Sequence, residues 1–102
     1  MDESQRQVAE FLDTHDLESP PEFRVLDLAS EVGEIAEDVA ESTDYGEAPD
    51  EVSIKRDEIG DALFGLLALS VRVDVDAGEA LEEAVEKYRE RIDESGDPSS
   101  DE

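Results

Sequence analysis

The chain has 102 residues, enough for one domain with one modest core, and its 32 acidic residues against 8 basic ones give a formal net charge of −24. So acidic a surface repels nucleic acid phosphates, which excludes a general DNA- or RNA-binding role. No apolar run reaches the roughly 18 residues that span a bilayer, and with no cysteine there is neither a disulfide framework nor a thiolate metal site.

The opening MDESQRQ lacks the positive flank and apolar stretch of a signal peptide, so a cytoplasmic location is expected. The acids are spread along the whole chain rather than blocked together. That favours adaptation to a high-salt cytoplasm, where self-repulsion is screened, over an acidic mimic of nucleic acid. It also means that most carboxylates face solvent, and the functional ones must be identified by position.

A first helix is expected from Glu3 to about His15, with Val8, Phe11 and Leu12 on one face. Ser19-Pro20-Pro21-Glu22 has the spacing of a capping box with proline at the first helical position. A second helix should start there and run to about Ser42. Its Val25, Leu28, Ala29, Val32, Ile35, Ala36 and Val39 follow the spacing of an amphipathic helix. Thr43 to Asp50 reads as a loop. A third helix is expected over about Asp50 to Val73. Ala62 to Val71 carries no charge, which predicts a central helix buried nearly all round. After a turn at Asp74–Asp76, Asp76-Ala77-Gly78-Glu79 forms a second capping box. The fourth helix then runs to about Ile92, with Leu81, Ala84, Val85, Tyr88 and Ile92 facing inward. The expectation is an all-α, four-helix bundle in a single domain over residues 1–92, followed by a disordered acidic tail over 93–102.

Four carboxylates do not fit an ordinary solvated face. Asp61 stands in IGDALFGLLAL, where a lone charge is costly unless it is paired or bound to a cation. Glu58 lies one helical turn earlier on the same face, and Gly65 one turn later leaves space for a ligand or a neighbouring helix. Glu31 and Glu34 repeat the spacing on the second helix, and Asp27 and Asp38 extend the acidic strip. If the two helices pack antiparallel, both pairs converge on one cleft. Such hard oxygen ligands suit Mg²⁺ or Mn²⁺ better than zinc. In a chain this acidic the bland alternative, a solvated face, stays open for Glu31 and Glu34. His15 stands in no E-x-x-H frame, which disfavours di-iron chemistry and leaves it a loop or helix-end residue. There is no P-loop, no GxGxxG pattern and no candidate nucleophile.

LASEVGEIAEDVAE followed by RDEIGDALFGLLAL resembles the E-x-x-E … E-x-x-D signature of MazG-like nucleotide pyrophosphohydrolases, the all-alpha NTP pyrophosphatase superfamily. The resemblance extends from about Arg24 to Arg91, through LEEAVEKYRERI. It implies a helical bundle that cleaves nucleoside triphosphates between the α and β phosphates, giving monophosphate and pyrophosphate, in nucleotide-pool house-cleaning. Carried over by position, Glu31, Glu34, Glu58 and Asp61 hold Mg²⁺, and Glu31 or Glu34 also orients the attacking water. The resemblance further implies a homodimer or homotetramer. Lys87 and Arg91 are candidate triphosphate contacts, with Lys55 and Arg72 as weaker ones; the alternative for each is an ordinary pair with a nearby Glu, such as Glu83 for Lys87. Where relatives often carry asparagine, this chain has Ser70-Val71-Arg72, so base or sugar recognition does not carry over. Two rival functions stay open: a catalytically inactive helical interaction or partner module, and the acidic nucleic-acid mimic.

Overall fold

The computed structural model describes residues 2–99. Four helices, α1 (Glu3–Thr14), α2 (Pro21–Ser42), α3 (Arg56–Arg72) and α4 (Ala77–Ser95), follow in order, with a short 3-10 turn at Pro49–Glu51 and no strand among the described residues. The fold is all-α, as the periodicity requires.

α1 starts at Asp2, whose side chain accepts from the Gln5 N–H at 2.8 Å. It buries Val8 and Leu12 against Leu67 and Ala68 of α3, and the Phe11 ring meets Phe64 edge-on at 5.8 Å. α2 begins at Pro21 with Pro20 as its N-cap and no side-chain cap, so the expected box at Ser19 does not form. The cause is local: a residue before proline is held out of the helical region, and Pro20 sits at φ −60, ψ 150. It therefore cannot be the first helical residue.

α3 starts six residues later than expected, at Arg56 rather than Asp50. Asp50 and Glu51 belong to the 3-10 turn, and Val52 to Lys55 form no regular element. The β-branched and serine residues of that stretch lose helix propensity, and the Ser53 N–H is taken by Ser42 Oγ at 2.9 Å. α2 and α3 are antiparallel, because Lys55 meets Asp38 while Gly65 meets Leu28. α3 is central in that it packs on both α1 and α2. It is not buried all round, however: Leu63, Phe64 and Leu66 stay partly exposed, at 51%, 38% and 47%.

The cap of α4 forms as read from the sequence, Asp76 Oδ1 accepting from the Glu79 N–H at 3.1 Å. The helix outlasts its expected end at Ile92 and stops at Gly96, in the left-handed conformation with φ 77. Residues 93–95 of the expected tail are therefore helical, and 100–102 lie outside the described residues. α4 stands off from the rest and touches the other helices only weakly. Leu81, Val85, Tyr88 and Ile92, expected to face inward, are 42–63% exposed. The radius of gyration, 16.7 Å, exceeds the value of about 13 Å for a compact chain of this length. The α3–α4 corner is fixed by Gln5, fully buried, which donates from Nε2 to Val75 O and accepts from the Ala77 N–H, both at 2.7 Å.

Candidate metal centre

α2 and α3 make their close approach at Leu28 and Gly65, where a Cβ on residue 65 would lie 3.6 Å from Leu28 Cα. The gap at Gly65 is thus taken by a neighbouring helix and not left for a ligand. Toward the C-terminal half of α2 and the first turns of α3, the groove carries Glu31, Glu34 and Asp38 on one side and Asp61 and Glu58 on the other. Their helical spacing places them in register along the antiparallel pair.

These groups lie as two interacting pairs, Glu31 beside Glu34 and Asp38 beside Glu58. The charge of Asp61 reaches Glu31, and that of Glu34 reaches Glu58, so the pairs are electrostatically joined. Burial, then the neighbouring Glu34 and Asp61 carboxylates, raises Glu31 above the ordinary carboxylate value. The interaction with the Asp38 side chain, followed by burial, pushes Glu58 up to about 7. Asp38 is held at about 2, first by the Glu58 side chain and then by the Lys55 backbone N–H. One oxygen each of Glu31 and Glu58, the Oε2 atoms, is buried with no hydrogen-bond partner. Orphaned buried carboxylate oxygens are costly and call for a cation or a donor.

The distribution of burial corrects the sequence reading. Asp61, expected to be costly within an apolar stretch, is exposed, because the face of α3 that carries it is open. Glu34 is exposed too, Glu31 and Glu58 are half-buried, and Asp38 is buried. As the side chains stand, no three His, Cys, Asp or Glu among the described residues are grouped closely enough to hold one ion. The donor chemistry and the two orphaned oxygens fit a hard divalent cation. Closing a coordination sphere around one needs Glu34 and Asp61 to turn inward, which their exposure permits.

Sequence reasoning gave Asp38 no separate role. Its Oδ2 accepts the Lys55 N–H at 2.9 Å and its Oδ1 accepts from Lys55 Nζ at 3.1 Å, so it anchors the N-cap residue of α3 from another helix. The available signal was its position seven residues after Glu31, on the same helical face. Among the proposed phosphate contacts, Lys55 is at the site, with Nζ 4.0 Å from Glu58 Oε1. Lys87 and Arg91 are on α4, folded against the Tyr88 ring at 4.9 and 5.7 Å, and the chain does not bring them to the carboxylates by packing α4 on α2. Arg72 is spent on the α1–α2 linker, Nε donating to Ser19 O at 3.0 Å. His15 is the C-cap of α1, with its ring against Phe11.

A cleft of about 660 Å³ lies at the other end of the α2–α3 groove, lined by Leu12, Asp16, Arg24, Ala68 and Arg72 among others. None of the four proposed ligands lines it, and the Leu28–Gly65 contact separates it from them.

Paired carboxylates thus face each other across two antiparallel helices of an all-helical chain. The sequence profile of the MazG nucleotide pyrophosphohydrolase domain matches residues 20–95, more than half of the chain and all of the carboxylate groove. The chain belongs to that family. No curated protein and no solved structure gives a significant match. No helix among the described residues is long and apolar enough to cross a membrane.

Proposed function

We propose that this protein hydrolyses nucleoside triphosphates to monophosphate and pyrophosphate with the help of Mg²⁺, which Mn²⁺ can replace, as a house-cleaning enzyme of the nucleotide pool. The observation that carries the reading is the pair of buried, partnerless carboxylate oxygens of Glu31 and Glu58 on facing helices, inside the span matched by the family. Glu31, Glu34, Glu58 and Asp61 are the residues that would hold the cation. When bound, it would supply positive charge to the phosphate oxygens and to an attacking water.

The chain's own residues supply the rest. Glu31, raised above the ordinary carboxylate value by burial and by the neighbouring Glu34 and Asp61, is the candidate to take a proton from the attacking water. Lys55, at the mouth of the groove, is the basic group nearest to where phosphates would arrive. Lys87 and Arg91 can contribute only if α4 is brought over a groove, and an α4 packed in a homodimer or homotetramer would do this. The open apolar stripe of α4 supports such assembly. The charge of −24 supports work in a high-salt cytoplasm.

The test is incubation with a panel of canonical and modified nucleoside triphosphates in high KCl, with and without Mg²⁺, followed by chromatographic separation of products. Monophosphate plus pyrophosphate, abolished by EDTA and by Glu58→Ala, is expected, with turnover rising from low to high KCl as charge repulsion of the substrate is screened. Absence of turnover across the panel would favour the interaction module, a reading that also draws on the exposed α4 stripe.

A further inference from the structure

Asp38 and Glu58 are two carboxyl groups set side by side between two helices, with side chains only 8% and 14% exposed. One cation serves both. Lys55 is attached to Asp38 at two points, its backbone N–H to Oδ2 at 2.9 Å and its Nζ to Oδ1 at 3.1 Å. The backbone bond fixes where the lysine stem begins, at the N-cap of α3, three residues before Glu58. The ammonium then comes within 4.0 Å of Glu58 Oε1, while Glu58 Oε2 is buried and bonded to nothing. Glu58 is therefore half engaged: one oxygen faces the lysine and the other waits for a donor.

The Lys55 side chain is itself 69% exposed. A flexible, solvated ammonium is a compact point charge that swings away at little cost, unlike a forked guanidinium. It can neutralise this end of the groove and also yield it.

We infer that Lys55 is the resident counter-ion of the carboxylate site, held by Asp38 at the Glu58 carboxylate that a divalent cation must win. The inference rests on the reading of Glu58 as a metal ligand and adds to it a competitor built into the chain. Asp38 is a positioning residue in this scheme. By keeping both of its oxygens on Lys55, it holds the ammonium at 4.0 Å from Glu58 rather than in full contact. The lysine offsets carboxylate repulsion at this end of the groove without closing it.

The experiment is calorimetric titration of the full-length protein with Mn²⁺, with no nucleotide, for wild type, Lys55→Met, Arg56→Met, Asp38→Asn and the Asp38→Asn/Lys55→Met double variant. Circular dichroism of each variant checks that the helices are kept. Removal of a competing unit charge a few ångströms away should tighten Mn²⁺ binding by about three- to tenfold in Lys55→Met. Arg56→Met removes the same charge from the neighbouring residue and should change binding by less than about twofold, the size expected of a screened surface charge. In the Asp38→Asn background the ammonium is free to close on Glu58, so the lysine substitution should tighten binding by more than it does in wild type. Equal effects of Lys55→Met and Arg56→Met, or a smaller effect in the Asp38→Asn background, would overturn the inference and leave the metal site standing. If wild type binds no Mn²⁺, or Glu58→Ala binds it as well as wild type, the metal site itself is wrong and the inference falls with it.

Discussion

Asp38 and Glu58 stand side by side across the α2–α3 interface, and their interaction drives them apart in acidity, Asp38 to about 2 and Glu58 to about 7. Between those limits the pair holds a single proton. The raised Glu58 value contributes stability that is fully present below its ordinary value of 4.5 and is lost as pH rises through about 7. The lowered Asp38 value contributes stability present above 3.8 and lost as pH falls through about 2. The metal-free protein should therefore lose thermal stability between about pH 4.5 and pH 7, and Glu58→Gln, which mimics the protonated form, should flatten that slope. A bound divalent cation has to expel the same proton, so Mn²⁺ affinity should rise with pH over that interval. Thermal melts and titrations at several pH values measure both; an unchanged slope in Glu58→Gln would dissociate the shift from this pair.

Gly65 gives a second prediction. An added methyl would meet the Leu28 backbone and side chain at 3.6–3.7 Å, ordinary van der Waals contact. Gly65→Ala should thus stabilise the protein by about 0.5–1 kcal/mol, the gain of removing a glycine from a helix interior. Its melting temperature should rise by a few degrees. Gly65→Leu has no room beside Leu28 and should lower it, by prising α2 from α3. If alanine is destabilising, the two helices approach more closely than the present geometry allows.

The helices were legible because their signals are local. Asp76 caps α4 as its spacing with Glu79 indicates, and the periodicity of α1 places Val8 and Leu12 where they pack; on α2 Leu28 meets Gly65, but Val25, Val32 and Val39 of the expected stripe are exposed. The late start of α3 was not legible, because its N-cap residue is anchored by Asp38, seventeen residues earlier on another helix. Nor could sequence show that Asp61 is exposed and Glu58 half-buried, since that depends on which face of α3 is left uncovered. The register of Glu31, Glu34, Glu58 and Asp61 could be read from their helical spacing. Their arrangement as pairs, with Asp38 in place of Asp61 beside Glu58, could not.

Gln5 is the polar anchor of the α3–α4 corner, 1% exposed and bonded at both ends of its amide. Gln5→Ala leaves the Val75 carbonyl and the Ala77 N–H without partners. At about 1–3 kcal/mol for each buried group left unsatisfied, the loss should be about 2–4 kcal/mol once water reaches part of the gap. Gln5→Glu keeps an acceptor for Ala77 and loses the donor to Val75, so it should fall between. Denaturant melts rank the three. Equal stability of all three would mean that α1 holds α4 by some other contact.

The stripe on α4 tests assembly. Leu81, Val85, Tyr88 and Ile92 recur at spacings of four, three and four residues, one continuous face of the helix, and each is 42% exposed or more. No other helix among the described residues packs closely on α4, and an apolar stripe of this length in water favours burial against a second copy. Light scattering should then give a mass that is a multiple of 11.2 kDa. Because each copy carries −24, association should strengthen as KCl shortens the screening length from about 10 Å at 0.1 M to about 3 Å at 1 M. Val85→Glu, at the middle of the stripe, should yield a helical monomer. Turnover should fall with it, since Lys87 and Arg91 would no longer be carried to a groove. A wild-type monomer at every salt concentration would sink the assembly; a monomeric Val85→Glu with full turnover would instead keep the assembly and release Lys87 and Arg91 from any part in the reaction.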